Sequence, residues 1–289
     1  MSCPICNGLE FRNEIICEDH TVSHESFAIT KCNNCDFLIT NPRPNQSEIG
    51  KYYQSEDYIS HANKSNSPIN FAYKLARNFT LKSKLKILNN LKRQGSLLDY
   101  GCGTGYFLEF CKRQNWKVQG VEPDEKTRAI ASEKINQNVL NKISDLDSKS
   151  KFDIITLWHV LEHVHELKDL LESLQTLLKK DGFLIIAVPN VNSFDAQHYK
   201  EHWAAYDVPR HLYHFNQLTF KELSNFHGYK LVNTLPMKLD AYYVSMLSEK
   251  YKTGKNNYLK SMLNGYKSNS WAKNNEKNYS SLIYILQVK

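Results

Sequence analysis

The chain has 289 residues, 41% of them apolar, seven cysteines and a formal net charge of +7. That is enough apolar sequence to bury one large core with a small appendage, and no apolar run reaches the length of about 20 residues that a spanning helix needs. The cysteines include two C-x-x-C pairs with no basic-then-apolar leader before them, so the chain reads as a soluble cytoplasmic protein whose thiolates bind metal rather than form disulfides. The positive charge admits a nucleic-acid partner, but the lysines are spread along the whole chain among many asparagines, as on a solvated surface.

Residues 1–45 form one unit. Cys3 and Cys6 make the first pair, Cys32 and Cys35 the second, with 25 residues between the pairs. The segments between them alternate as hairpin strands do. A unit this small cannot bury enough apolar surface to hold itself together. Four thiolates around one structural Zn2+ would supply what is missing, and the C-x-x-C spacing lets both sulfurs of one turn point at one ion. Cys17 lies outside both pairs and is expected to be a buried spare thiol. The stretch "NPRPNQ" at 41–46 then breaks regular structure and ends this zinc-ribbon-like module. The rest of the chain, 46–289, reads as a second domain.

Its first part is helical. Leu81, Leu85, Leu88 and Leu91 fall on one face of "LKSKLKILNNLKR", with lysines on the solvated side. Before it, the tyrosine-rich residues 52–61 suit either core packing or a lid over a ligand. From 96 onward strand and helix alternate: "SLLDYG", "GYFLEFCKRQN", "WKVQGVEP", "DEKTRAIASEKI", "KFDIITLW", "HELKDLLESLQTLLKK" and "GFLIIAVP". This order predicts an α/β fold, a doubly wound, mostly parallel sheet with helices on both faces. Asp181-Gly182 is expected to end the helix before the last of these strands. After a further helix in "NQLTFKELSNFHGY", "KLVNTL" and "SLIYILQV" are expected to close the sheet as an antiparallel hairpin. No firm structure is assigned to the Lys/Asn/Ser-rich residues 252–278.

The chemistry is carried by "LLDYGCGTGYF". A buried strand runs into Gly101, Gly103 and Gly105 and then into a helix, a turn that lets a ligand approach the backbone closely. Position 106 is tyrosine, so the dinucleotide fingerprint is incomplete, and the Gly-Lys-Ser/Thr of a P-loop is absent. Asp99, two residues before the first glycine, suits a cationic ligand better than a pyrophosphate. Glu122 ends the next strand, where a carboxylate can accept hydrogen bonds from both ribose hydroxyls. A nucleoside with positive charge near its far end satisfies both acids, and S-adenosylmethionine is such a molecule.

In "LLDYGCGTG", Glu122, "FDIITLWHVLEHV" and "GFLIIAVPN", the chain resembles class I S-adenosylmethionine-dependent methyltransferases over residues 47–289. It is most similar to the subgroup that shares "LEHV" with quinone-biosynthesis O-methyltransferases. Some sugar C-methyltransferases of that broad family also carry an N-terminal four-cysteine zinc module. The resemblance implies a Rossmann-like fold, with Asp99, Gly101, Gly103 and Gly105 lining the methionine and ribose parts of the cofactor and Glu122 holding the ribose hydroxyls. It further implies adenine contacts from Asp145 and Leu146, and places Trp158 and His159 near the sulfonium and methyl group.

Taken alone, His159, Glu162 and His163 spell H-x-x-E-H, the inverted zinc-peptidase motif. That motif needs both histidines on one face of a helix, whereas His159 closes an apolar strand and helical periodicity resumes only near His165. The peptidase reading is therefore set aside, and His163 is expected to be a buried, hydrogen-bonded histidine. His159 stands where the quinone-type relatives have an acidic residue, so no metal requirement is carried over at this segment.

The acceptor side is assigned to "WAAYDVPRHLYHF", since loops at the carboxyl ends of strands build ligand sites in this architecture. His211 is the first choice for general base, with His159 and His214 behind it, because imidazole titrates nearest neutral pH. Arg210 could pair with an anionic acceptor, although the whole loop would serve equally as a structural turn. The reading is a methyltransferase acting by in-line transfer on a small-molecule or glycoconjugate acceptor. An RNA methyltransferase gripping nucleic acid through the zinc module is the alternative, followed by a zinc-dependent binding protein with an inactive fold. No Asn/Asp-Pro-Pro-Tyr/Phe follows the fourth strand, which disfavours methylation of a base amine.

Overall fold

The computed structural model describes residues 2–54 and 68–289, with the side chains of 68–74 left out. Of the tyrosine-rich 52–61, only Tyr52, Tyr53 and Gln54 fall within this range; the rest of the expected lid lies outside the described residues. Strands β4 (Ser96–Tyr100), β5 (Lys117–Val121), β6 (Phe152–Trp158), β7 (Leu178–Pro189), β9 (Tyr229–Pro236) and β10 (Ser281–Val288) make one sheet in the order β5-β4-β6-β7-β10-β9. The β5-β4-β6-β7 pairings are parallel, and β10 runs antiparallel between β7 and β9.

Alternate residues of these strands serve two cores, as the two-residue strand period requires. Ile154, Ile185 and Ile283 pack with Leu81, Leu85 and Leu88 of α1 (Pro68–Leu91), Phe107 and Leu108 of α2 (Tyr106–Lys112), and Ala131 and Ile135 of α3 (Glu125–Ile135). Ile155, Leu184, Ile186 and Tyr284 face the other way. They meet the leucines of α4 (Leu167–Leu177) and Phe220 and Leu223 of α6 (Gln217–Phe226). The doubly wound, mostly parallel sheet expected from the alternation is therefore present.

Two local readings change. β7 begins at Leu178, before Asp181-Gly182, because Leu178 pairs with Phe152 and a register shift then carries the strand on to Phe183. The antiparallel pair β9 and β10 closes the sheet as expected, with α7 (Asp240–Thr253) and α8 (Tyr258–Asn274) in the chain between the two strands. Residues 258–274, which the sequence leaves without a firm assignment, are thus helical. Their buried face is Ser261, Asn264, Gly265, Ser268, Asn269 and Ala272, spaced as a helix face but polar or small, so apolar periodicity could not reveal it. The burial is made good by Asp195, which lies in α5 (Phe194–Tyr199) and accepts hydrogen bonds from Trp203 Nε1, Ser268 Oγ and Ser280 Oγ.

The N-terminal unit forms its own sheet, β1 (Phe11–Glu18), β2 (Ser26–Cys32) and β3 (Leu38–Thr40), but the fourth strand is β8 (Tyr213–His214), from the loop after β7. The sheet thus joins chain from both sides of residue 45, the boundary expected from the sequence. Arg210 fastens the seam. It is 2% exposed; one terminal nitrogen donates to Asp19 Oδ1 at 2.9 Å and Asp207 Oδ1 at 2.7 Å, the other to Tyr52 O at 2.8 Å, and Nε donates to Asp207. Arg210 is thus fully engaged inside the protein and does not offer its charge to an acceptor anion. Replacing it (Arg210→Ala) strands the buried Asp19 carboxylate and unpairs the partly buried Asp207, and should cost about 3–5 kcal/mol of stability, read by urea unfolding. A loss near the ~1 kcal/mol of a surface ion pair would show that the seam does not depend on it.

Candidate functional site

The glycine turn follows β4 directly. Gly101, Gly103 and Gly105 all have positive φ (72°, 54° and 76°), a region that side chains with a Cβ enter only at a cost. Their surroundings differ. A Cβ on Gly101 would meet Val160 at 2.6 Å and one on Gly105 the Ala131 backbone at 3.0 Å, whereas one on Gly103 would meet nothing within 4 Å. The outer glycines let the turn pack, and the middle one fronts open space.

Glu122 lies just past β5. Its Oε2 accepts the Gly103 N–H at 2.9 Å and its Oε1 the Asp124 N–H at 3.1 Å, so the carboxylate is held beside the turn with lone pairs to spare. Asp99 is 2% exposed and accepts the Thr156 hydroxyl at 2.6 Å. Burial raises its carboxyl to about 6, although Thr156 and Lys84 pull it the other way. Asp145 closes a 3-10 turn at Ile143–Asp145 by accepting the Lys142 N–H, and Leu146 packs against the core that holds Val121.

Trp158 ends β6 with its ring edge-on to Phe107, at 5.6 Å between centroids. Its indole N–H is buried and meets no acceptor among the described residues, a donor left for a ligand to satisfy. Lys84 lies 4.2 Å from the centre of the same ring. The sequence places Lys84 on a solvated lysine face, but here it turns inward. Burial lowers its ammonium to about 8, against the opposing pull of Asp99 and Asp240. The 3.6-residue period in fact sets Lys84 within the stripe of Leu81, Leu85, Leu88 and Leu91 and leaves Lys82 and Lys86 on the exposed side.

His159 follows β6 at φ 57°, outside any helix, and His163 lies in a 3-10 turn. The peptidase geometry is absent, as the strand-end reading expects. His159 Nε2 is 2.9 Å from Asp240 Oδ2 and Nδ1 is 3.3 Å from Glu162 Oε1. Burial alone would depress its pKa, but the two carboxylates outweigh it and raise the ring to about 10. At neutral pH His159 is a cation, not a proton acceptor. Asp240, from the first turn of α7, was not legible as a site residue because its partner lies 81 positions away.

The other histidines divide by their partners. Thr40 donates its hydroxyl to His211 O and therefore accepts from His214 Nε2, at 2.9 Å. His214 is thus locked inside the β3–β8 pair, and burial keeps it neutral. His163 Nδ1 is 3.0 Å from both Arg210 O and Tyr53 Oη, and burial lowers its pKa to about 4. His211 donates Nδ1–H to Ala205 O at 2.9 Å, its Nε2 lies 3.9 Å from Asp207 Oδ2, and its ring stands edge-on to His163 at 4.6 Å. Donor atoms of Glu162, His163 and His211 lie within 4.8 Å of one another. Within this cluster Glu162 already balances the His159 cation.

The four expected cysteines do converge. Each pair sits in the same kind of turn. Cys3 O accepts from Asn7 N and Cys3 N donates to Gly8 O, while Cys32 O accepts from Asp36 N and Cys32 N donates to Phe37 O. Sulfur–sulfur distances of 3.4 Å (Cys3–Cys35) and 3.5 Å (Cys6–Cys32) are too long for disulfides, and all four sulfurs lie within 4.8 Å. Cys17 is buried apart from them, and burial pushes its thiol up to about 12.

The α/β sheet, its strand–glycine–helix turn and the acid at the next strand end are those of the doubly wound class of fold. A family model for a methyltransferase domain matches residues 72–234, and the chain belongs to that family. It is 32% identical over 133 residues to a ubiquinone biosynthesis O-methyltransferase of Pelagibacter ubique, covering 43% of this chain and 54% of the relative. A Bradyrhizobium protein of the same description is 30% identical over 102 residues, 33% of this chain and 40% of the relative. The chain thus spans about half, or less, of the length of these curated relatives. The fold is also similar to that of magnesium protoporphyrin IX methyltransferase from Synechocystis, solved with bound SAH. The TM-score is 0.54 and the identity 15%, covering 85% of this chain and 100% of that one.

The sign of the His159 shift sets a test. A folded pKa above the unfolded value means the pairing stabilises fully below the unfolded pKa near 6.5 and fades as pH rises toward about 10. By NMR titration His159 should stay protonated through neutral pH, and Asp240→Asn should lower its pKa by about one unit or more. An unchanged pKa in that variant would remove Asp240 as the partner.

Proposed function

We propose that the protein is an S-adenosylmethionine-dependent methyltransferase acting on a small-molecule or glycoconjugate acceptor, with O-methylation favoured by the relatives' names. The observation that carries this reading is Glu122 held by the Gly103 N–H beside the open face of the glycine turn. Glu122 would accept both ribose hydroxyls, Gly101, Gly103 and Gly105 would admit the ribose and methionine parts against the backbone, and Asp99 with Trp158 would face the charged end. Asp145 and Leu146 would border adenine. Bound S-adenosylmethionine supplies a methyl group on a positively charged sulfur. The chain's part is to align the acceptor in line with that methyl, exclude water and remove the acceptor's proton.

His211 is our choice for the base. Its Nδ1–H is committed to Ala205 O, so Nε2 is the ring atom left to take the acceptor's proton, while His159 is held as a cation and His214 is locked by Thr40. The cysteine cluster would hold one structural zinc through Cys3, Cys6, Cys32 and Cys35. Tetrahedral thiolates at the usual bond length put sulfurs about 3.8 Å apart, close to the spacing of the four thiols. That zinc would stabilise the N-terminal sheet on which β8 and the His211 loop lean.

Glu122→Ala should weaken cofactor binding by about 1.5–3 kcal/mol, the range for hydrogen bonds to a charged group, measured by calorimetry; unchanged affinity would sink the assignment. His211→Ala should lower turnover by about 10²–10⁴-fold with cofactor affinity nearly intact. A folded variant that keeps turnover would remove His211 as the base. Elemental analysis should find one zinc per chain, lost in Cys32→Ser; protein purified without chelator and free of zinc would refute that site.

A further inference from the structure

Helix α8 is built inside out. Its buried face is the polar and small set Ser261, Asn264, Gly265, Ser268, Asn269 and Ala272. Its large apolar side chains, Tyr258, Leu259, Met262, Leu263 and Tyr266, are 48%, 75%, 47%, 52% and 65% exposed. These five recur at i, i+1, i+4, i+5 and i+8, which is one stripe of a helix.

The inversion is enforced from within. Asn264 donates to Tyr199 Oη and Glu249 Oε1, Ser268 to Asp195 Oδ1, and Asn269 to Lys238 O. A Cβ on Gly265 would meet the Tyr242 ring at 2.6 Å, so α7 and α8 touch at that point. Rolling α8 to bury its apolar stripe would break every one of these contacts. Single exposed apolar side chains are ordinary, but a contiguous stripe calls for a partner.

The charge around the stripe selects that partner. Residues 238–278 carry eight lysines against three carboxylates, a net charge of +5 out of +7 for the whole chain. Two of the three carboxylates are already paired, Asp240 with His159 and Glu249 with Lys260. Lys252, Lys255 and Lys267 are exposed beside the stripe. A second copy docking through the same stripe would set like charge against like charge. Anionic headgroups complement the lysines, the acyl boundary accepts Leu259, Met262 and Leu263, and tyrosine suits the interface between them.

The geometry points to α8 as a helix that lies flat on an anionic lipid surface. No described helix is long and apolar enough to cross a membrane, and none is needed for this mode. The start of α7 is tied to the site through Asp240 and His159. Docking would therefore hold the site within about one 14-residue helix, or ~20 Å, of the surface. The inference is independent of the chemical identity of the methyl acceptor.

Co-sedimentation of the full chain with phosphatidylcholine vesicles, and with equimolar phosphatidylcholine and phosphatidylglycerol, tests it. Binding to the anionic vesicles should be about tenfold or more tighter and should weaken with salt. Leu259→Gln combined with Leu263→Gln should lower it by about tenfold or more at unchanged circular dichroism. Lys255→Glu combined with Lys267→Glu should abolish the preference for anionic vesicles. No preference in the wild-type chain, or full binding by the double glutamine variant, overturns the proposal. It is also overturned if sedimentation velocity finds a dimer that the glutamine variant dissolves while vesicles go unbound, since the stripe is then a self-interface.

Discussion

One buried guanidinium holds together the parts of this protein that lie far apart in the chain. Taking the Arg210 charge out of water is costly unless every donor finds an acceptor. Asp19 comes from the turn between β1 and β2, Tyr52 O from the segment after the N-terminal sheet, and Asp207 from the loop after β7. Asp19 is itself pinned, because its oxygens also accept the backbone N–H groups of Thr21, Val22 and Ser23. The arrangement fixes the path of residues 203–215. It thereby fixes the neighbouring residues: His211 against Ala205 O, and Tyr213 and His214 as the fourth strand of the N-terminal sheet.

The strand ends carry a second, mostly internal electrostatic system. His159 lies between Asp240 and Glu162, and Lys84 is drawn toward Asp99 and Asp240 over the Trp158 ring. In a poorly solvated site such charges persist only when paired, and each pairing moves the proton affinity of its members. That separates the histidines into different states: His159 charged, His163 and His214 neutral. The same system ties α7 to the site, so the helical pair between β9 and β10 is coupled to the strand ends it borders.

That helical pair also shows how polar burial shapes a surface. Asp195, Glu249 and Asn264 draw the small polar face of α8 inward, and the large apolar side chains are left facing out. The exposed stripe is thus a consequence of the hydrogen bonds beneath it.

The sequence alone determined the alternating sheet, the glycine turn with Asp99 and Glu122, and the four-cysteine cluster. These depend on local periodicity, on glycine at positive φ and on fixed spacing, all of which are written in short stretches of chain. It also anticipated that His159 ends a strand, because the apolar run before it is continuous. Only the tertiary structure decided that β8 completes the N-terminal sheet, that Arg210 is consumed by Asp19 and Asp207, and that His159 is charged. Each of those rests on a partner brought from a distant part of the chain: 191 residues separate Arg210 from Asp19 and 81 separate His159 from Asp240. Helix α8 stayed illegible for a different reason. Its buried face is polar and its exposed face apolar, so the pattern that marks a soluble helix reads there in reverse.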